Sequence, residues 1–316
     1  MQLQTKVHIP PSNIDISHQH HIFCLGSCFA THMFDMFQKY WFHTKINPCG
    51  ITYNPMSMAK QIGWLLYEQD ISDPTYVQEQ WIPFDFHGFF RRENKKETLE
   101  TCKTHFEAFR SFFTQSTIDI YTFGTSFVYE YQGEIVNNCH KIPSKFFGSE
   151  RLLTIDEILD LWSQMLEDMQ SKFPKKQIIL TLSPVRHTRN GLVGNSVSKS
   201  ILRTCIHELT KFPNVHYFPS YEIVLDELRD YRFYKDDMLH PTNLTIEYIW
   251  NIFLSHHMTT ETQRILTEIH KIENMKHHRF RNATSEEERQ YHENIIQKEL
   301  LLRKKYKIKP QKNHAQ

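Results

Sequence analysis

The stretch HIFCLGSCFATHMFDMF, residues 21–37, decides how the rest of the chain is read. His21 to Leu25 form a short apolar run with no polar face, the pattern of a strand buried on both sides of a parallel sheet. Gly26 punctuates it, and Cys28, Phe29, Met33, Phe34, Met36 and Phe37 then recur at roughly helical spacing. Ser27 therefore stands at a strand-to-helix turn. A glycine before it permits a tight turn, and the first N–H groups of the following helix offer a positive dipole end to a developing oxyanion, so the hydroxyl sits where a nucleophile would. The plainer alternative is that Ser27 only caps the helix.

Working outward, Asp119–Phe123 (DIYTF) reads as a buried strand ending at Gly124, Gln177–Leu182 (QIILTL) as a second ending at Ser183-Pro184, and Val215–Phe218 as the last. Helical patterns occupy Pro55–Tyr67, Thr104–Gln115, Ile155–Lys172, Ser196–Lys211, Ser220–Arg232 and Thr242 to about Met258. Strands alternating with helices predict an α/β fold with a central parallel sheet. Ligands of open α/β sheets collect at the carboxyl ends of the strands, so the exits at Gly26-Ser27, Gly124-Thr125 and Ser183-Pro184 could share one crevice. Residues 1–258 form this domain. From 259 to 316 the composition turns charged, and the extension reads as a solvated helix with a frayed end, a basic arm for an acidic partner being the sharper alternative.

With 316 residues the chain can bury a large core, and a formal charge of +1 gives no global electrostatic reason for a nucleic-acid partner. The first residues carry no apolar stretch of the kind a secretory signal needs, and no later run is long enough to span a bilayer, so a cytoplasmic location is expected. Six cysteines, at 24, 28, 49, 102, 139 and 205, lack the dense spacing of a disulfide framework and are expected as thiols. His18, His20 and His21, and Cys102 with His105, have poor spacing for a metal; neither metal nor cofactor is expected.

The second feature with chemistry in it is Asp237-Met238-Leu239-His240-Pro241. An Asp three residues before a His can reach back to the imidazole Nδ1, fixing the tautomer and leaving Nε2 for a serine. A polar loop before a helix, with Pro241 in its first turn, is the alternative. What matters is the pair: a strand-terminal Gly-Ser early in the chain and Asp-x-x-His late in it.

GSCFA at 26–30, NPCGITYNP at 47–55, FGTSFVYE at 123–130, NCHKIPSKFF at 138–147, SPVRHTRNG at 183–191 and FPSYEIVLDELRDYRFYKDDMLHPT at 218–242 together resemble the GSCFA family, over about residues 20–255. That family is similar to the SGNH (GDSL-like) hydrolases, and the resemblance implies a flavodoxin-like three-layer α/β/α sandwich and the cleavage of esters on lipids or glycans. Position by position it implies Ser27 as nucleophile and first oxyanion donor through its own N–H, Gly50 as second donor, His240 as base and Asp237 as its orienting acid. The third donor departs from the pattern. SGNH enzymes place Gly-x-Asn-Asp after the third strand, whereas this chain has Gly124-Thr125-Ser126-Phe127; Asn138, or less well Ser126, could supply the donor instead.

Arg186 and His187 follow a strand exit and could bind a substrate carboxylate, phosphate or sugar hydroxyl. Tyr53 and Asn54 beside Gly50, and His140, are further pocket-lining candidates. The expected reaction is acyl transfer from a small-molecule or glycan ester to Ser27, then hydrolysis. Three alternatives stay open: Cys28 as nucleophile at the helix N-terminus, an O-acyltransferase with the same triad, and a non-catalytic module that binds a glycan or acyl group.

Overall fold

The computed structural model describes residues 4–138, 140–143, 149–276, 278, 280 and 284–310. Its strands, in chain order, are β1 (His21–Gly26), β2 (His43–Ile46), β3 (Thr75–Val77), β4 (Gln80–Ile82), β5 (Ile118–Phe123), β6 (Phe127–Tyr131), β7 (Glu134–Val136), β8 (Ser149–Leu152), β9 (Gln177–Leu182) and β10 (Val215–Phe218). The central sheet has the order β10-β9-β5-β1-β2, and every pair in it is parallel. The chain leaves β1 for β2 on one side and returns to β5 on the other, so the strand order reverses between β1 and β5. A doubly wound sheet opens its crevice at that switch point, and Ser27 is the residue that leaves β1 there.

Helices α1 (Cys28–Lys39), α2 (Pro55–Leu66), α3 (Lys95–Gln115), α4 (Ile155–Lys172), α5 (Gly191–Leu209), α6 (Ser220–Glu222), α7 (Asn243–His257), α8 (Thr260–Lys276) and α9 (Ser285–Tyr306) complete the fold. The two faces of each strand sort them into layers. Phe23 and Leu25 of β1, Tyr121 and Phe123 of β5, and Ile178, Leu180 and Leu182 of β9 pack with α2 to α5. Ile22 and Cys24 of β1, Ile118 and Ile120 of β5, and Ile179 of β9 face the other way, against α1 and α7. Two-residue periodicity along strands that are apolar on both faces thus gives a three-layer α/β/α sandwich.

Local signals explain where several helices begin. Asn54 accepts the Ser57 N–H ahead of Pro55, and Thr154 with Glu157 forms a capping box for α4. Asn94 caps α3, which starts nine residues before the expected Thr104; its first turns bury only Thr98 and Cys102, too faint a stripe to read through the charges. α5 starts at Gly191 rather than Ser196. The expected helix Ser220–Arg232 is instead α6 followed by a π-helical stretch, Ile223–Leu228, and a 3-10 turn, Tyr231–Phe233.

The polar edge strand β2, the β3–β4 hairpin and the antiparallel sheet β7-β6-β8 are additions to the sequence reading. The C-terminal extension is a correction to it. Ile265, Leu266, Ile269 and Ile272 of α8 and Ile295 and Leu302 of α9 join the apolar cluster that holds Phe37 and Trp250. Trp41 Nε1 donates to Glu273 at 2.7 Å, and the Arg303 guanidinium lies 4.3 Å from the Trp41 ring centre. The charges form the outer face of a docked helical pair, so α8 and α9 are not a loose solvated end. No described helix is long and apolar enough to cross a membrane.

Gly26 has φ +154°, and a Cβ there would lie 2.6 Å from the Thr122 carbonyl oxygen of the neighbouring strand. Gly26→Ala is therefore expected to cost about 1–3 kcal/mol through overpacking at the sheet's switch point. Urea unfolding checks this, and a loss below about 0.5 kcal/mol, the range of ordinary surface substitutions, would contradict it.

Candidate active site

Ser27 occupies the N-cap position of α1 with an extended backbone, yet its side chain makes no capping hydrogen bond. The residue is 2% exposed, and Oγ is buried with no hydrogen-bond partner. The plain capping role is thereby excluded: a capping serine accepts from the N–H of the second or third helical residue. The Ser27 N–H also donates to no group among the described residues. Its surroundings are the Gly124 peptide, where an added Cβ would sit 3.3 Å from Ser27 Cβ, and the Tyr53 carbonyl, which accepts from the Gly124 and Thr125 N–H groups at 2.8 and 3.0 Å.

Asp237 and His240 form the pair their spacing predicts. Asp237 Oδ1 accepts from the Leu239 and His240 N–H groups at 2.8 and 2.9 Å, and Oδ2 meets His240 Nδ1 at 2.6 Å. The backbone N–H of His240, then that of Leu239, then the imidazole hold the Asp237 carboxyl down to about 2, so it is ionised throughout the neutral range. With Nδ1 held by the carboxylate, Nε2 is the ring nitrogen left for another partner. The loop lies beside the exit of β9 and near α1. The Leu239 carbonyl faces the Arg186 N–H at 3.4 Å, at the exit of β9, and His32 on α1 is depressed first by burial and then by the charges of Lys235 and His240. The imidazole is about one-third exposed, 36%. The structure brings Asp237 and His240 together, but a Ser27–His240 hydrogen bond is not made in it.

The expected oxyanion donors fare differently. The Gly50 N–H donates to the Asn47 carbonyl at 2.9 Å, closing a turn, and so is not free for an oxyanion; Gly50 itself (φ +85°) is wedged against His87. Ser126 is likewise spent: its N–H and hydroxyl both bond to Ser198. Asn138 is tied to the stretch after β4, its N–H donating to the Phe84 carbonyl, and its Oδ1 accepts from the His140 N–H at 2.8 Å. Of the two neighbouring asparagines it is Asn137 that is buried, its Nδ2 near the Asp85 carbonyl at 3.3 Å and the Ile51 carbonyl at 3.5 Å. Of the named donors, the Gly50 N–H and those of Ser126 are taken, whereas the Ser27 N–H and the Asn138 side-chain amide nitrogen donate to no group among the described residues. Cys139 and residues 144–147 of the 138–147 motif lie outside the described residues.

Of the pocket candidates, Tyr53 stands at the mouth: burial and then the neighbouring Cys28 thiol raise its phenol above the ordinary value. Asn54 belongs to the scaffold instead, spending both ends of its amide on Ser57 as the cap of α2. His140 packs against Phe84, Nε2 at 3.0 Å from the Pro83 carbonyl, and burial lowers it to about 4, so it is neutral at pH 7. Arg186 stacks on Tyr234 and Tyr231, 4.5 and 5.2 Å from the ring centres, which fixes the link between the β9 exit and the His240 loop. His187 has a buried Nδ1 without a partner, and burial, then the charge of Lys199, lowers its basicity.

Lys199 is the residue that sequence reading missed. It is 2% exposed, and its ammonium donates at 2.7 Å to each of two carbonyls, Gly124 and Ser183. A signal was available: the inward stripe of α5 runs Asn195, Ser198, Lys199, Leu202, Cys205, Ile206 and Leu209, so a lysine falls in register with the core.

Burial raises the Cys28 thiol, with its own and the Phe29 N–H only partly offsetting, which argues against a thiolate nucleophile. The other described cysteines, 24, 49, 102 and 205, are buried free thiols. His18 stacks on Phe42, His21 packs against His43, and His105 lies against Phe90. No group of three or more His, Cys, Asp or Glu among the described residues is placed to hold a metal ion.

Two solved structures are similar in arrangement. One is a family 3 carbohydrate esterase of Clostridium thermocellum, at 9% identity, covering 78% of this chain and 97% of that one with a TM-score of 0.35. The other is a family 3 carbohydrate esterase from Talaromyces cellulolyticus, at 10% identity, covering 80% and 99% with a TM-score of 0.35. No curated protein sequence matches the chain. The profile of the GSCFA family matches residues 21–253, well over half of the sequence and including every residue of the site described above, and the chain belongs to the GSCFA family.

Proposed function

We propose that this protein is a serine esterase of the SGNH type, which takes the acyl group of an O-acyl ester, on a carbohydrate or another small alcohol, onto Ser27 and releases it to water. The observation that carries the reading is the Ser27 hydroxyl: buried, without a hydrogen-bond partner, at a cap position where it does not cap. An unpaired buried polar group costs roughly 1–3 kcal/mol, and catalytic use is one of the few reasons to keep one. The Asp237–His240 pair beside the β9 exit would supply what that hydroxyl lacks, a base whose tautomer is fixed.

In the proposed cycle, His240 Nε2 takes the Ser27 proton as Oγ attacks the ester carbonyl, and a tetrahedral intermediate forms with its oxyanion toward the Ser27 N–H and the first turn of α1. The imidazolium gives the proton to the leaving alcohol, and water, activated by the same nitrogen, then frees the acid. The cycle requires the Ser27–His240 hydrogen bond to close. Such bonds are often long before substrate arrives, and the partly exposed imidazole has room to turn.

Asp237→Asn tests the arrangement. The amide oxygen can still accept from the Leu239 and His240 N–H groups, so the loop keeps its shape, while Nδ1 loses the acceptor that fixes the tautomer. Hydrolysis of p-nitrophenyl acetate should fall by about 10⁴-fold. A variant within tenfold of wild type would remove Asp237 from the mechanism.

A further inference from the structure

We infer that Lys199 is a positioning residue of this site, a buried cationic tie that holds the nucleophile half and the base half of the crevice at a fixed separation. The inference rests on the esterase reading above. One carbonyl it binds belongs to Gly124, whose peptide packs directly beneath Ser27 and is anchored from the side by Tyr53. The other belongs to Ser183, the first residue past β9. Three residues on, the Arg186 N–H faces the Leu239 carbonyl, immediately before His240. A single ammonium thus joins Ser27, through Gly124, to His240, through the Ser183–Arg186 turn.

Neither strand exit has another side chain bonded to these two carbonyls among the described residues. The Ser183 N–H already donates back to Phe123, so the cation completes a closed frame across β5 and β9. The groups facing Lys199 are the Cys28 thiol on α1, His187 in the β9–α5 turn and the Tyr221 ring on α6, with Arg186 lining the same small cavity; no carboxylate is among them. Without a counter-ion, burial brings the ammonium down to about 7, which makes the tie sensitive to pH around neutrality. Deprotonation leaves a weaker, neutral donor on the two carbonyls.

The folded value lies near 7 and the unfolded one at 10.5, so the unfolded chain binds the extra proton between them and stability rises with pH through that window. Lys199→Met abolishes this pH dependence, so the stability of wild type relative to the variant should rise as pH goes from 6.5 to 8.5.

The experiment compares wild type, Lys199→Met, Lys199→Gln and Lys199→Arg, each checked for folding by circular dichroism, in the rate at which an alkyl fluorophosphonate labels Ser27 across pH 5.5–9.5. Glutamine keeps donors without charge, and arginine keeps charge. The wild-type rate is expected to fall on an alkaline limb near pH 7 to 8. At pH 6 the methionine and glutamine variants should be slower by on the order of 10²-fold, the usual effect of a misplacement of about 1 Å, and should lack that limb. The arginine variant should recover part of the rate and hold it to higher pH. An alkaline limb unchanged in folded Lys199→Gln, or wild-type rates in both neutral variants, would overturn the role. Label that survives Ser27→Ala would instead overturn the esterase reading itself, and this one with it.

Discussion

Ser27→Ala is expected to lose ester hydrolysis and fluorophosphonate labelling by about 10⁴-fold or more, the scale on which triad enzymes respond to removal of their nucleophile. The same substitution should leave the protein at least as stable as wild type. Oγ contributes no hydrogen bond to the fold and sits buried on the floor of the crevice, so removing it relieves the cost of an unpaired polar group while adding only a very small void. The combination distinguishes a functional hydroxyl from a structural one. A serine that capped α1 would lose roughly 0.5–2 kcal/mol on replacement by alanine. Urea unfolding of the same preparations used for kinetics reads both effects, and a variant that is both active and destabilised would reverse the assignment.

Asp119→Ala should produce the largest loss of stability. Asp119 on β5 and Lys176, just before β9, are 0% and 2% exposed, with Nζ 3.1 Å from Oδ2. The carboxylate also accepts from the Ser116 and Tyr121 hydroxyls at 2.6 and 2.7 Å, and the ammonium donates to the Phe113 carbonyl at 2.7 Å. Removing the acid strands a buried ammonium, already lowered by burial, in an apolar layer. The expected cost is about 3–5 kcal/mol in urea unfolding. Replacing both partners together, as Asp119→Leu with Lys176→Met, should restore much of that loss, because the desolvation of two charges disappears with them. If Asp119→Ala alone costs less than about 1 kcal/mol, in the range of exposed pairs, the pair does not hold β5 and β9 in register as described.

Sequence carried the central sheet well where the chain wrote it in apolar runs. HIFCL, QIILTL and VHYF are the strands β1, β9 and β10, because burial on both faces leaves little polar alternation to misread. The strand β2, HTKI, was invisible for the opposite reason: an edge strand with polar residues has no burial signal of its own, and only its register against β1, His21 opposite His43, makes it a strand. The α9 stripe, Ile295 and Leu302, lay hidden in a run of charges.

The site divides in the same way. The Asp237–His240 pair is local, three residues apart, and a spacing argument reaches it. Ser27 is legible because the strand, glycine and helix that place it are contiguous. Oxyanion donors are not local properties: whether the Gly50 or Ser126 N–H is free depends on Asn47 and Ser198, which no pattern in the neighbourhood announces. Lys199 was legible in principle as a cation in a helix's inward register, but its partners come from two strands far apart in sequence.

Everything functional here depends on His240 reaching Ser27, and a crystal structure of the fluorophosphonate-treated protein measures that contact directly. The account predicts phosphorus bonded to Ser27 Oγ, His240 Nε2 within about 3.2 Å of an oxygen on the adduct, and Nδ1 still on Asp237. An adduct on Cys28 or elsewhere, or a phosphonylated Ser27 with the imidazole turned away to solvent, would contradict it.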